Sequence, residues 1–426
     1  MKYFNPANLA IIACPGGDVF ADEVIKHLRK KYRHSRSKTE TELSKLYGMT
    51  KEQCALHIDL VNKIVIRGTD SQSGTDKQLS KPFKVPVKFT RFPNGEIKAE
   101  IEESIRGKDV YIFQDVENRY PVKFHGDQIV SNLSINDHLM TAMVTIDAAR
   151  QAGSERITLV IPNYPYSRQH KAKGREGLTA SRIGKIFESL GVNHIITLDI
   201  HSRDIINAFN KMKLENLHAS YQIIHTLTKM EGILNDDFVV VSPDTGAVDR
   251  NKFYASSLKK PLALLYKERD YSKVTSSASQ SNISQVRLLG CVKDKTVFMA
   301  DDILGTGSTL IKGMKLLKDN GARRIICAIS LPLFSGDAIS HFDQAYKEGL
   351  FYRIIGTNAV YQEEVVNREW YVNVNITRLF AHVISRLHQN QSVSSLLDNA
   401  AIINRLITQT IVSEPQNELP FLSDEA

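Results

Sequence analysis

Asp301 and Asp302 end a short apolar run, Thr296 to Ala300, and are followed closely by Gly305, Thr306, Gly307, Ser308 and Thr309. The run is too short and too apolar for an exposed helix. It suits a buried parallel strand, which puts both acids at the carboxyl end, where open α/β sheets bind ligands. The small residues supply unhindered backbone N–H groups and the hydroxyls of Thr306, Ser308 and Thr309. Leu310, Ile311, Met314, Leu316 and Leu317 then recur at helical spacing up to Gly321. The loop therefore opens a helix, whose N-terminus attracts phosphate. Two carboxylates repel a nucleotide's phosphate tail but suit vicinal hydroxyls or a magnesium ion, and a ribose 5-phosphate presents both halves. Taken alone, the segment also reads as a strand ending in an Asp-rich turn.

Four further clusters bear chemistry. Tyr164 to Lys173, YPYSRQHKAK, follows a strand end at Ile161 and Pro162, so Arg168, Gln169, Lys171 and Lys173 project from a loop fit for phosphate or base contacts, or simply a solvated basic loop. Asp199, His201 and Arg203 stand at the next strand end, where an imidazole and a carboxylate can ligate a metal. A lone His beside one acid is more often structural. Asp244, Thr245 and Gly246 repeat the pattern of an acid and a small-residue turn after the apolar Val239 to Val241. Leu264 to Lys273, LLYKERDYSK, reads in water as a charged surface loop. Folded over a nucleotide, its Lys267 and Arg269 become cations for phosphoryl chemistry. The chain has no GxxxxGK[ST] loop, so a nucleotide would be held by another device.

Three segments share one grammar of amphipathic helix, Gly stop and apolar strand: Asn136 to Gly153 then Ile157 to Ile161, Leu178 to Gly191 then Ile195 to Ile200, and Leu310 to Gly321 then Ile325 to Leu331. That is the signature of αβ units in a parallel sheet, here duplicated. At 426 residues the chain suggests two domains. The grammar pauses between Ile206 and Ala219, where the domain change is expected. Ser35 to Lys81 reads as an insertion, partly helical around 42–46 and 51–66, and Glu117 to Ser131 as a second irregular stretch. A helix is expected over Ser395 to Ile411, before an acidic end. Charged residues at 24% are ordinary and no apolar run reaches spanning length, so neither wholesale disorder nor a membrane protein is indicated. Leu9 to Cys14 reads as a first core strand rather than a lipoprotein cleavage site. The four cysteines are scattered, as buried free thiols of a reducing cytoplasm are. The net charge of +8 fits nucleic acid, an anionic surface or phosphorylated small molecules alike, and with no aromatic-interleaved basic stripe or zinc-finger spacing nucleic acid is the weaker option.

Taken in order, these clusters resemble the ribose-phosphate pyrophosphokinase (phosphoribosyl pyrophosphate synthetase) family over most of the chain. Phe92-Pro93-Asn94-Gly95-Glu96, Glu103 to Gly107, Asn136 to Met140, Arg168-Gln169, Leu198 to His201, Ser242 to Gly246, Lys267-Glu268-Arg269, Phe334 to Gly336 and Thr357-Asn358 carry the resemblance. It implies an α/β fold of two tandem phosphoribosyltransferase-type (type I) domains, each a central parallel sheet flanked by helices. The expected partition is 1–215 with insertions near 35–81 and 117–131, 216–392 with the ribose-phosphate loop, and a C-terminal extension, 393–426. The implied reaction moves the pyrophosphoryl group of ATP to ribose 5-phosphate. Lys267 and Arg269 would be catalytic, Phe92, Asn94, Glu96, Arg168 and Gln169 would bind ATP, and Asp301, Asp302, Thr306, Gly307, Ser308 and Thr309 would bind ribose 5-phosphate. His201 and Asp244 would hold Mg2+. The resemblance also implies a cytoplasmic homo-oligomer, a hexamer, in which Phe92, Asn94 and Glu96 serve a neighbour's site. Phosphate activation and ADP inhibition at an interface touching Ser104 and Arg106 are implied too.

The chain departs from this pattern at two positions. Gly305 stands where the sugar loop normally has a third acid, and His170 stands where an acid usually follows Arg168-Gln169. A non-catalytic regulatory homologue and a phosphoribosyltransferase are therefore the alternative readings.

Overall fold

The computed structural model describes residues 8–61, 83–127, 130–172, 174–230, 237–269 and 283–412. They form two compact units, the first comprising the described residues to Leu217 together with Thr377–Leu397, the second His218–Ile376 together with the described residues from Asp398.

The first unit contains β1 (Leu9–Ala13), α1 (Asp18–Tyr47), α2 (Lys51–Val61), β2 (Val87–Arg91), β3 (Ile97–Ile101), β4 (Asp109–Phe113), α3 (Ile135–Gln151), β5 (Arg156–Val160), α4 (Thr179–Ser189), β6 (His194–Leu198) and β7 (Lys213–Leu217). A five-stranded sheet runs β1-β4-β5-β6-β7 with every pair parallel. Both faces of such a sheet are covered, so β1 and β4 are buried along their whole length. Ile112, Leu159, Ile146 and Phe187 belong to its core. The first helix of the repeating grammar starts on a capping box: Asp137 accepts the Ser134 N–H at 2.9 Å while Ser134 Oγ accepts the Asp137 N–H at 3.2 Å. The region expected as an insertion begins inside α1, which runs on to a left-handed Gly48, and continues as α2. The 117–131 stretch is held to the β2–β3 ribbon, because Phe89 O accepts the His125 N–H at 2.7 Å and Arg91 pairs with Asp127 at 3.2 Å.

The chain returns to this unit with α10 (Thr377–His388) and α11 (Ser394–Leu397), which departs from a linear partition at 392/393. The cause is local chemistry. α10 buries Leu379, Phe380, Val383, Ile384 and Leu387, and Phe380 meets Phe20 of α1 edge-on at 5.0 Å. Its end is pinned to the sheet: Asp109 accepts from Arg156 Nε at 2.8 Å and from His388 Nδ1 at 2.8 Å, and Arg156 donates to Leu387 O at 2.9 Å.

The second unit contains α5 (Ser220–Lys229), β8 (Phe238–Ser242), α6 (Val248–Leu258), β9 (Leu262–Arg269), β10 (Ile283–Leu289), β11 (Thr296–Leu304), α7 (Ser308–Asp319), β12 (Arg324–Pro332), α8 (Ala338–Lys347), β13 (Arg353–Thr357), α9 (Glu363–Val366), β14 (Tyr371–Val374) and α12 (Ala400–Val412). Its seven strands run β10-β9-β8-β11-β12-β13-β14. All neighbours are parallel except β9 and β10, so the expected central parallel sheet carries one antiparallel strand at its edge. The expected charged loop at 264–273 is corrected. Its backbone continues β9 through Arg269, with Lys267 opposite Val286 and Arg269 opposite Ile283, while 270–273 lie outside the described residues. The single helix expected over 395–411 is broken at Asp398-Asn399. Asp398 Oδ1 accepts the Ala400 N–H at 3.1 Å, and Asn399 donates to His218 O at 3.2 Å. Cys14, Cys54 and Cys327 are buried, whereas Cys291 is exposed, against expectation. Among the described residues no helix is long and apolar enough to cross a membrane.

Candidate functional site

In the second unit the chain passes from β8 to β9 on one side and returns with β11 on the other, so the order reverses between β8 and β11. Such a switch point leaves a crevice beyond the carboxyl ends of the strands. Here β8 and β11 are paired only from Thr296↔Phe238 to Phe298↔Val240. Beyond that, buried Asn251 of α6 replaces the missing strand: its Nδ2 donates to Ala300 O at 2.8 Å and its Oδ1 accepts the Ala300 N–H at 2.9 Å. Asn251 was not singled out in the sequence, since an Asn inside a helix carries no signal of what it reaches.

The clamp fixes the backbone just ahead of the two acids. β11 extends four residues further than the apolar run suggests and carries both acids within it, paired on one side with β12 through Asp301↔Ile329. Asp301 Oδ1 accepts the Asp302 N–H at 2.9 Å and Asp302 Oδ1 accepts the Ile303 N–H at 3.0 Å. Burial, then the Asp302 charge beside it, pushes the Asp301 carboxyl up toward neutrality, against the pull of Arg250. Arg250 Nη1 stands 3.6 Å from Asp301 and 3.5 Å from Asp302 and is a second participant that the sequence pattern did not mark. Across the crevice mouth, Asp244 Oδ1 accepts the N–H groups of Gly246 at 2.9 Å and Ala247 at 3.0 Å, which folds the turn after β8.

The small-residue loop follows β11. Gly307 is the N-cap of α7 at φ 72°, and a Cβ there would lie 2.3 Å from Phe342 Cε2. Only glycine meets both demands. Thr306, Ser308 and Thr309 are exposed, with Thr306 Oγ1 and Ser308 Oγ 3.5 Å apart, so the start of α7 presents hydroxyls and N–H groups to solvent. A multivalent anion finds its donors there.

In the first unit, the ends of β4, β5 and β6 gather the remaining clusters. Arg168 and Gln169 are exposed on the loop after β5, in which Tyr166 O accepts the Gln169 N–H at 2.8 Å and Gln169 O accepts the Ala180 N–H at 3.3 Å. Lys173 lies outside the described residues. After β6, Asp199 adopts φ 40°, and exposed His201 comes within 5.2 Å of His170, ring centre to ring centre. Burial pushes the Glu117 carboxyl up, against the pull of Arg119 and Arg168. Beneath lies a buried polar cluster: Gln114 Nε2 bonds Pro15 O at 3.1 Å and His138 Nδ1 at 3.1 Å, while His138 Nε2 donates to Asn118 O at 3.0 Å. Phe92, Asn94 and Glu96 sit on the exposed β2–β3 hairpin tip, closed by the Phe92 N–H to Glu96 O bond at 2.8 Å.

Among the described residues no three His, Cys, Asp or Glu side chains cluster closely enough to hold an ion unaided. A magnesium ion needs only one or two protein oxygens when substrate phosphates complete its shell. Asp244 offers a carboxylate oxygen of the kind magnesium favours, whereas His201, in the other unit, offers an imidazole nitrogen.

The chain matches two family models, the N-terminal domain of ribose phosphate pyrophosphokinase over residues 73–191 and the phosphoribosyl transferase domain over 203–350. It is 32% identical to a ribose-phosphate pyrophosphokinase of Nostoc over 73% of this chain and 86% of that one. Ribose-phosphate pyrophosphokinase 4 of Saccharomyces cerevisiae is 30% identical over 80% of this chain and 97% of its own. The fold is that of phosphoribosylpyrophosphate synthetase from Mycobacterium smegmatis, with a TM-score of 0.65, 24% identity, and coverage of 90% of this chain and 99% of that one. Two tandem phosphoribosyltransferase-type domains, a switch-point crevice with paired acids and a helix-capping loop thus coincide with this likeness in sequence, and the chain belongs to the ribose-phosphate pyrophosphokinase family.

Proposed function

We propose that the chain transfers the pyrophosphoryl group of ATP to the anomeric hydroxyl of ribose 5-phosphate, giving AMP and phosphoribosyl pyrophosphate. The observation that carries this reading is the switch-point crevice, where Asp301 and Asp302 stand one loop away from the exposed start of α7. The carboxylates accept from the ribose hydroxyls, while Thr306, Gly307, Ser308 and Thr309 donate to the 5-phosphate. Arg168 and Gln169, with Phe92, Asn94 and Glu96, bind ATP. The anomeric oxygen attacks the β-phosphorus, the bond from the β-phosphorus to the α,β-bridging oxygen breaks, and AMP leaves with that oxygen. Lys267 and Arg269 offset the charge of the transferring group. His201 and Asp244 would each offer one donor to Mg2+, which when bound would neutralise phosphate charge. Catalysis is then positioning and electrostatics without a covalent enzyme intermediate. A cytoplasmic homo-oligomer, a hexamer regulated by phosphate and ADP, completes the reading.

The test is formation of AMP and phosphoribosyl pyrophosphate from ATP, Mg2+ and ribose 5-phosphate, with and without inorganic phosphate, beside Lys267→Ala. Equal amounts of both products, lost in the variant, support the reading. ATP binding without turnover favours a regulatory homologue, a second reading motivated by Gly305. In that case Gly305→Asp is the next variant, and a restored third acid is worth about 1–3 kcal/mol, roughly ten- to a hundredfold in kcat/KM.

A further inference from the structure

We propose that Asn251 is a positioning residue for the sugar acids, its side-chain amide locking Asp301 and Asp302 to the turn after β8 across the split in the second unit's sheet. Beyond Phe298, β11 is no longer paired with β8. Ala300 is nonetheless buried, so its N–H and C=O need partners there. Asn251, itself fully buried, supplies both, donating to Ala300 O at 2.8 Å and accepting the Ala300 N–H at 2.9 Å. Its amide also donates to Ala247 O at 2.9 Å. Ala247 in turn gives its N–H to Asp244 Oδ1 at 3.0 Å. One side chain therefore joins the Asp244 turn to the residue that precedes Asp301.

The residue type suits this task. An amide carries two donors and an acceptor on one planar group, as the edge of a strand does, whereas a carboxylate lacks the donors and an aliphatic side chain lacks both. Arg250, the preceding residue of α6, places Nη1 3.6 Å from Asp301 and 3.5 Å from Asp302, so the helix that holds the backbone of the acids also carries their counter-cation. Without the clamp the Ala300 groups lose their partners in the interior, and the strand end must shift to regain them. Asp301 follows directly in the chain and moves with it. A misplacement of about 1 Å costs on the order of a hundredfold in a site that works by positioning. The proposal rests on the pyrophosphokinase reading for the identity of the sugar, ribose 5-phosphate.

The full chain is assayed as Asn251→Ala beside Val297→Ala, a buried residue of the same strand outside the site. Asn251→Ala is expected to raise KM for ribose 5-phosphate, and its dissociation constant by calorimetry, about tenfold or more, with KM for ATP little changed. Hydrogen exchange at the Ala300 amide, read by mass spectrometry, should quicken. Val297→Ala should lower the melting temperature and leave both Michaelis constants at their wild-type values, which separates positioning from a general loss of stability. Should Asn251→Ala not fold, the similarly sized Asn251→Leu fills the same space without hydrogen bonds and is expected to show the same split. Folded Asn251 variants with wild-type affinity for ribose 5-phosphate, or with a lower kcat and an unchanged KM, overturn the proposal. Wild type that binds ribose 5-phosphate but forms no phosphoribosyl pyrophosphate removes the catalytic reading instead, and a raised dissociation constant in Asn251→Ala then still supports the positioning role. Wild type that does not bind ribose 5-phosphate overturns both.

Discussion

Replacing Gly307 by Ala attacks the loop at its most constrained point. The residue sits at φ 72°, ψ −3°. Holding an L-residue in that left-handed region costs about 1–2 kcal/mol. The added methyl would also stand 2.3 Å from Phe342 Cε2 and 2.9 Å from Cζ. Phe342 has little room to yield, because its ring is fully buried, stacked on Trp370 at 5.8 Å and met edge-on by Phe334 at 5.6 Å and Phe351 at 5.8 Å. Overpacking of this kind adds about 1–3 kcal/mol, for a total of about 2–5 kcal/mol. Trp370 is the chain's sole tryptophan and is buried, so its fluorescence during urea unfolding reports on the unit and on this aromatic cluster. Gly336→Ala is the internal control: it shares a positive φ of 61° but a Cβ there meets nothing within 4 Å, so only the backbone cost applies. The expected result is a lower midpoint for Gly307→Ala than for Gly336→Ala, together with a raised KM for ribose 5-phosphate and little change for ATP. Equal midpoints for the two variants would refute the packing argument.

Three further perturbations test other parts of the molecule. Asp301 holds its proton more tightly in the folded chain than in the unfolded one, so its contribution to stability is present at low pH and fades as pH rises from the ordinary Asp range toward neutrality; Asp301→Asn should flatten that slope in melting temperature against pH. Lys31 is pushed down to about 8 by burial and then by the charges of Arg386 and Arg378, and its Nζ lies 3.4 Å from His382 Nδ1. Its folded value lies below its unfolded one, so it costs stability at neutral pH and that cost disappears as pH rises above about 8. Lys31→Met should therefore stabilise the first unit by about 1–3 kcal/mol at pH 7, read by thermal unfolding. At Asp109, burial opposes the charge, but the hydrogen bonds from Arg156 and His388 outweigh it and hold the carboxyl below its usual range. Asp109→Asn should cost about 3 kcal/mol and expose the segment after α10 to protease, seen as new cleavage between His388 and Ser394.

Sequence alone determined the αβ grammar, because helix-period and strand-period burial with Gly stops is a local property: α3 with β5, α4 with β6, and α7 with β12 stand where that pattern puts them. It also marked the Asp301-Asp302 pair and the loop after it, since their chemistry is written in contiguous residues. Tertiary structure decided what depends on partners distant in the chain. Asn251 acts through Ala300 and Arg250 through the paired acids, about fifty residues away in each case. The Lys267 to Arg269 segment is a strand because β10 supplies the missing hydrogen-bonding edge, which its run of charges does not foretell. α10 joins the first unit because Phe20, Asp109 and Arg156 provide its apolar and polar contacts there. His170 and His201 lie 31 positions apart in the chain, and only the adjacency of β5 and β6 in the sheet brings their rings together.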